Sequence, residues 1–220
     1  MPSPRLARAA ALTAAFSAIA YELLLASYAT FLLGASIFQY SLVFSLMMAS
    51  MGAGAWAAER LRTPVARTLI ALELAIAVLA LVAVPTLYFV FAAQGPAQLL
   101  LFAFVLLMGA GLGMEVPLLN RLEKDGGWLN DILFSDYLGG FAGGMLFPFF
   151  LFPHLGFFRL AGVLAAVNAG VALLFAARAR PRSVPAWLGA TVVLVVCLGY
   201  CLASEKIRVA METSLFGIAP

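Results

Sequence analysis

The chain has 220 residues, 65% of them hydrophobic and only 10% charged. That balance excludes an ordinary soluble domain and fits a polytopic membrane protein. The net charge of +3 comes mostly from arginines in short connections, and no basic cluster interleaves with aromatics, so no nucleic-acid partner is expected.

Apolar stretches long enough to cross a bilayer, each supplying roughly 20 residues, fall at 9–33, 36–59, 65–92, 96–122, 132–153, 157–178 and 185–204. They predict an all-α bundle of seven transmembrane helices over residues 1–204, followed by a linker at 205–220. Arg5 and Arg8 precede the first stretch, and "SAIA" (17–20) resembles a signal cleavage site. The apolar run nevertheless continues from Leu23 to Leu33, which favours a retained helix. This stretch carries Glu22, with Ala15, Ala18, Ala26 and Ala29 on the same helical face.

The second stretch holds Gln39 and the tetrapeptide "MGAG" at 51–54. In the third, Glu73 shares a face with Ala66, Ala77 and Ala80. "MGAG" recurs in the fourth at 108–111, and reads either as the trace of an internal repeat or as two close-packing small-residue turns. Glu115 follows Gly109, Gly111 and Gly113 there, and precedes Pro117, which removes a backbone hydrogen bond.

The fifth stretch opens with Asp136 and Tyr137 and then spends Gly139, Gly140, Gly143 and Gly144 within two turns. Each interior glycine costs a soluble helix about 1 kcal/mol. In lipid, small residues let helix backbones approach. The four fall within one arc with Asp136 in its middle, so the acid is expected to face a neighbouring helix. His154, the only histidine, follows Pro153 and reads as an interfacial residue. Asn168 lies in the sixth stretch. Cys197 and Cys201, one turn apart in the seventh, read as small buried hydrophobes.

Glu22, Glu73, Glu115 and Asp136 are ionisable groups at membrane depth, where they are costly and functional by default. No lysine or arginine lies at comparable depth. The acids must therefore be protonated, hydrated, or waiting for a cation from elsewhere. Gln39, Tyr137, Asn168 and Tyr21 can add neutral hydrogen bonds to one cavity. The bland alternative is that these groups only lock helices together, which Asp136, near a helix start, would suit through the helix dipole.

With the N-terminus inside, Arg5, Arg8, Arg60, Arg62, Arg67, Arg121, Lys124, Arg178, Arg180 and Arg182 lie on the cytoplasmic side. Arg159, Lys206 and Arg208 lie on the other. This is a strong positive-inside bias. Trp56, Trp128 and Trp187 sit at the same cytoplasmic interface, and an odd number of spans puts the C-terminus outside.

One histidine cannot give a zinc or bis-histidine haem site, and neither HExxH nor G-x-S-x-G occurs. Lys124 and Lys206 lie outside the spans, which excludes a retinal-type Schiff base. No catalytic residue, metal or cofactor is expected within these residues.

The segments "YELLLASYATFLLGASIFQYSL" (21–42), "MGAG" (51–54), "GLGMEVPLLNRL" (111–122) and "SDYLGGFAGGMLFPFFLFPHLG" (135–156) resemble the membrane-embedded N-terminal part of bacterial fused spermidine synthases, a part often labelled major-facilitator-like. The tail "SEKIRVAMETSLFGIAP" resembles the linker into their soluble aminopropyltransferase domain. The resemblance implies a multi-pass domain of the bacterial cytoplasmic membrane, associated with an aminopropyltransferase domain or partner subunit. No position here matches the family's enzymatic residues. The expected function is binding, sensing or passage of a polyamine or other organic cation by the acid-lined cavity. A proton-coupled transporter using Glu22, and a structural or assembly subunit without a ligand, are the alternatives.

Overall fold

The computed structural model describes residues 4–122, 129–178 and 184–216. Lys124, Trp128, Arg180, Arg182 and the last four residues of the expected linker lie outside them. The described residues form α1 (Pro4–Leu33), α2 (Ser36–Arg60), α3 (Val65–Ala92), α4 (Ala97–Asn120), α5 (Leu129–Leu146), α6 (Phe152–Arg178) and α7 (Val184–Phe216), with a π-helical turn at Phe147–Leu151 and no strand among them. Residues 205–216, expected as linker, continue α7. There Arg208 bridges Glu205 and Glu212, 2.7 Å from the latter.

Among the described residues six helices are long and apolar enough to cross a membrane, where the sequence predicts seven. The difference lies at 129–178, which runs as one helical stretch of 50 residues. Pro148 has no N–H to donate, and the helix widens there into the π turn. At Gly156, φ 63° and ψ −177° put the backbone in a region essentially reserved for glycine, and the chain doubles back. The two limbs run in opposite directions along α1. In α5, Asp131 pairs with Arg8 at 3.5 Å, and Gly139 and Gly143 meet Leu12 and Phe16 in turn. In α6, Phe157 packs 4.8 Å from Tyr28, and Asn168 lies beside Tyr21, nearer the start of α1.

α1 is the central helix, buried by α5, α6, α4 and α2. Its alanines make this possible: Ala7, Ala10, Ala11, Ala14, Ala18, Ala20, Ala26 and Ala29 are all buried. The two most extensive interfaces are α1 with α5 and α2 with α4, and both depend on glycine. A Cβ on Gly139 or Gly143 would run into the backbone of Leu12 or Phe16. Gly140 and Gly144, from the same predicted arc, meet only the Ile19 side chain, at 3.5 and 3.7 Å. A side chain at Gly54 would overlap the Ala110 carbonyl, and one at Gly113 the Met51 backbone. The two MGAG segments therefore lie mid-helix on α2 and α4, facing each other across one interface, and are not turns.

Candidate functional site

Four of the helices, α1, α3, α4 and α6, converge on a polar cluster. Tyr21, Glu73, Glu115 and Asn168 each contribute one side chain, and none is more than 3% exposed. The Tyr21 hydroxyl donates to Asn168 Oδ1 over 3.4 Å, a long and therefore weak bond. Asn168 also stands beside Glu73, yet Glu73 Oε2 and Asn168 Nδ2 find no partner of proper geometry. Glu115 lies within electrostatic reach of both Glu73 and Asp136, and its Oε1 is likewise unpartnered. Each such buried atom costs about 1–3 kcal/mol, so the cluster holds unspent hydrogen-bonding capacity. None of the predicted acids joins an ion pair among the described residues, where the pairs are Arg8–Asp131, Arg208–Glu205 and Arg208–Glu212.

A groove of about 690 Å³ leads to Glu115 from the side of the bundle, between α2 and α5. These two helices build no substantial interface among the described residues, and the gap between them is the mouth. Ala15, Ala18, Ile19, Met48, Met51 and Ala55 form apolar walls, with Glu115 and Asp136 as the acids. Tyr137 and Phe141 stand at the rim, 74% and 66% exposed. The size suits a small molecule. A second cavity of about 560 Å³, at the far end of α1, includes Tyr28, Tyr88 and Phe157 under Glu205 and Glu212. Arg208 already occupies both of those acids, so the groove is the better candidate for an incoming cation.

The structure thus brings Glu73, Glu115 and Asn168 together, with Asp136 in the adjoining groove and Tyr137 at its rim. Glu22 stays apart: it is buried, continues the α1 stripe of Ala15 and Ala18, and makes no hydrogen bond or ion pair among the described residues. Gln39 is also separate, in the first turn of α2 at the opposite end of the bundle from Asp136, with its Oε1 buried and unpartnered. Tyr21, expected only as one of four neutral hydrogen-bonding groups of the cavity, lies at the centre of the cluster. Its signal is the stripe Ala10, Ala14, Ser17, Tyr21, Leu24 and Tyr28, all buried at helical spacing. His154 lies at the bend, its Nδ1 2.8 Å from the Phe150 carbonyl oxygen, away from the cluster. No group of three or more potential metal ligands occurs among the described residues. Nothing in the cluster pairs a nucleophile with a base. Its chemistry is that of two acid oxygens awaiting donors, beside one amide N–H donor that is also unpartnered.

No family model matches the chain, and no solved structure matches it. It is similar to several curated proteins of one name. It is 40% identical over 168 residues to polyamine aminopropyltransferase 2 of Streptomyces coelicolor, covering 70% of this chain and 30% of that protein. It is 31% identical over 214 residues to polyamine aminopropyltransferase 2 of Ralstonia nicotianae, covering 90% and 42%. It is 33% identical over 159 residues to the polyamine aminopropyltransferase of Leptospira interrogans, covering 70% and 32%. The chain therefore spans between 30% and 42% of the length of these relatives. Their shared name supports a relationship with the polyamine aminopropyltransferases.

Proposed function

We propose that this chain is the membrane domain of a polyamine aminopropyltransferase-like protein, and that its groove binds a linear polyamine or similar organic cation. The observation that carries this reading is Glu115: a buried acid with an unpartnered side-chain oxygen, lining an apolar groove that also holds Asp136. Ammonium groups spaced along a hydrocarbon chain match two carboxylates set in apolar walls, and the bound charge offsets the cost of burying the acids. Calorimetric titration of the purified chain in lipid nanodiscs with spermidine is expected to show saturable binding, and propylamine, with one ammonium, to bind at least tenfold more weakly. Equal affinity for the two amines, or no spermidine binding at millimolar concentration, overturns the reading.

The membrane placement is part of the proposal. It is supported by six long apolar helices and by an outer surface exposing Phe38, Phe44, Phe141, Phe149, Val195 and Leu202. The oppositely directed limbs α5 and α6 each cross, which makes seven crossings. The arginine distribution supports an N-terminus in the bacterial cytoplasm. Reporter fusions after Pro220, one active only inside and one only outside, are expected to show activity of the external reporter alone. Activity of the internal reporter alone contradicts this topology.

A further inference from the structure

The main interfaces of the bundle repeat when α1, α2 and α3 are exchanged for α4, α5 and α6, although α1 packs more extensively on α2 than α4 does on α5. The interface of α5 on α1 becomes that of α2 on α4, and these are the two most extensive among the described residues. The contact of α1 with α6 becomes that of α4 with α3, and the two are of similar extent. The pairs α1–α4 and α3–α6 map onto themselves. The sequence neighbours α2 with α3, and α5 with α6, build no substantial interface in either unit among the described residues. Directions invert under the exchange, because α1, α3 and α5 run one way and α2, α4 and α6 the other.

The residues agree with the exchange. "QYSLVFSLMM" (39–48) aligns with "DYLGGFAGGM" (136–145): Tyr40, Phe44 and Met48 match Tyr137, Phe141 and Met145, and all six are exposed. On α3 and α6, Leu69, Ile70, Glu73, Ile76, Ala77 and Ala80 match Leu164, Ala165, Asn168, Val171, Ala172 and Phe175, and every one is buried. "YELLL" (21–25) and "MEVPLL" (114–119) place Glu22 opposite Glu115. The polar residues thus fall into pairs: Glu22 with Glu115, Gln39 with Asp136, and Glu73 with Asn168. The last pair meets at the centre. The MGAG tetrapeptides are not part of this relation, since α2 and α4 are not equivalents.

We propose that α1–α3 and α4–α6 form an inverted repeat, and that the protein carries a linear alkylammonium ion across the membrane by exposing the central cluster alternately to the two sides. Sites at the centre of inverted repeats are served by two equivalent pathways, one open while the other is closed. The open groove, with Glu115 and Asp136, lies in the half of the bundle where α1 begins. Its equivalent, with Glu22 and Gln39, lies in the other half, where Val43, the counterpart of the groove residue Gly140, is fully buried. An acid on one pathway stands opposite an amide on the other, which favours capture on the Asp136 side and release past Gln39. This inference rests on the groove being a cation site.

The test joins transport to accessibility. Proteoliposomes of the full chain, loaded with unlabelled spermidine, are expected to accumulate radiolabelled spermidine by counterflow. In a Cys197→Ser, Cys201→Ser background, a water-soluble maleimide is expected to label Gly140→Cys from one side of the membrane. It should label Val43→Cys from the other side at a rate that changes at least threefold with spermidine. Absence of counterflow, or a Val43→Cys that never labels, overturns the carrier. If spermidine still binds by calorimetry, the proposed function survives that failure; if it does not bind, both fall.

Discussion

Gly139→Leu is expected to abolish most recovery of folded protein. At this position α5 lies so close to α1 that a Cβ would overlap the Leu12 carbonyl. Backbone cannot rotate aside as a flexible side chain can, so α5 must move as a body. α1 is the hub of the bundle, and α5 shares with it one of the two most extensive interfaces. Overpacking an ordinary core site costs about 1–3 kcal/mol, and a backbone collision belongs at or above the top of that range. For a chain of this size about 3 kcal/mol is a fall of about 6–12 °C in melting temperature. Gly143→Leu meets the Phe16 carbonyl in the same way and is expected to behave alike. Gly140→Ala, whose new methyl would sit 3.5 Å from the Ile19 side chain, is expected to melt within about 2 °C of the parent. Fluorescence-detected size exclusion and thermal melts in detergent check the set. Leucine variants at 139 and 143 that melt as close to the parent as Gly140→Ala would show that α5 does not dock on α1.

Glu115→Gln is expected to remove most affinity for a polyamine while leaving the protein folded. The substitution keeps the shape, replaces one acceptor oxygen with an amide donor, and deletes the capacity for negative charge. A hydrogen bond to a charged group is worth about 1.5–3 kcal/mol, so spermidine affinity should fall about ten- to a hundredfold. Asp136→Asn, nearer the rim, is expected to lose less, because water screens part of its interaction. Glu22→Gln is expected to change affinity less than threefold, since Glu22 lies outside the groove in this conformation. The three melts should stay close to the parent. A Glu22 variant that loses binding while the Glu115 variant keeps it would move the site away from the groove.

The helices were legible because their apolar runs are long and their ends are punctuated by Gly34, Pro64 and the Gly95–Pro96 pair. The bend at 147–156 was harder to read. Pro148, Pro153 and Gly156 announce an interruption, but no polar residue separates the flanking apolar runs, so sequence alone could not distinguish a loop from a continuous bent helix. Burial of Glu73 and Glu115 followed from their small-residue faces. Which acids share a space depends on helix rotation and partner choice, and neighbouring positions on one wheel diverged. Tyr21 enters the cluster while Glu22, next to it, does not. Gly139 touches backbone while Gly140 lines a groove. The equivalence of Gln39 with Asp136 was hidden because the two units have diverged to an amide and an acid and run in opposite directions.

Photolabelling with a diazirine-bearing polyamine, followed by peptide mapping, tests most directly whether the groove is the binding site. The groove account predicts labelling of α4 around residues 112–117 and of α5 around 136–141, suppressed by excess spermidine. Labelling confined to α7 and the 152–159 bend, or labelling that spermidine does not suppress, would contradict it.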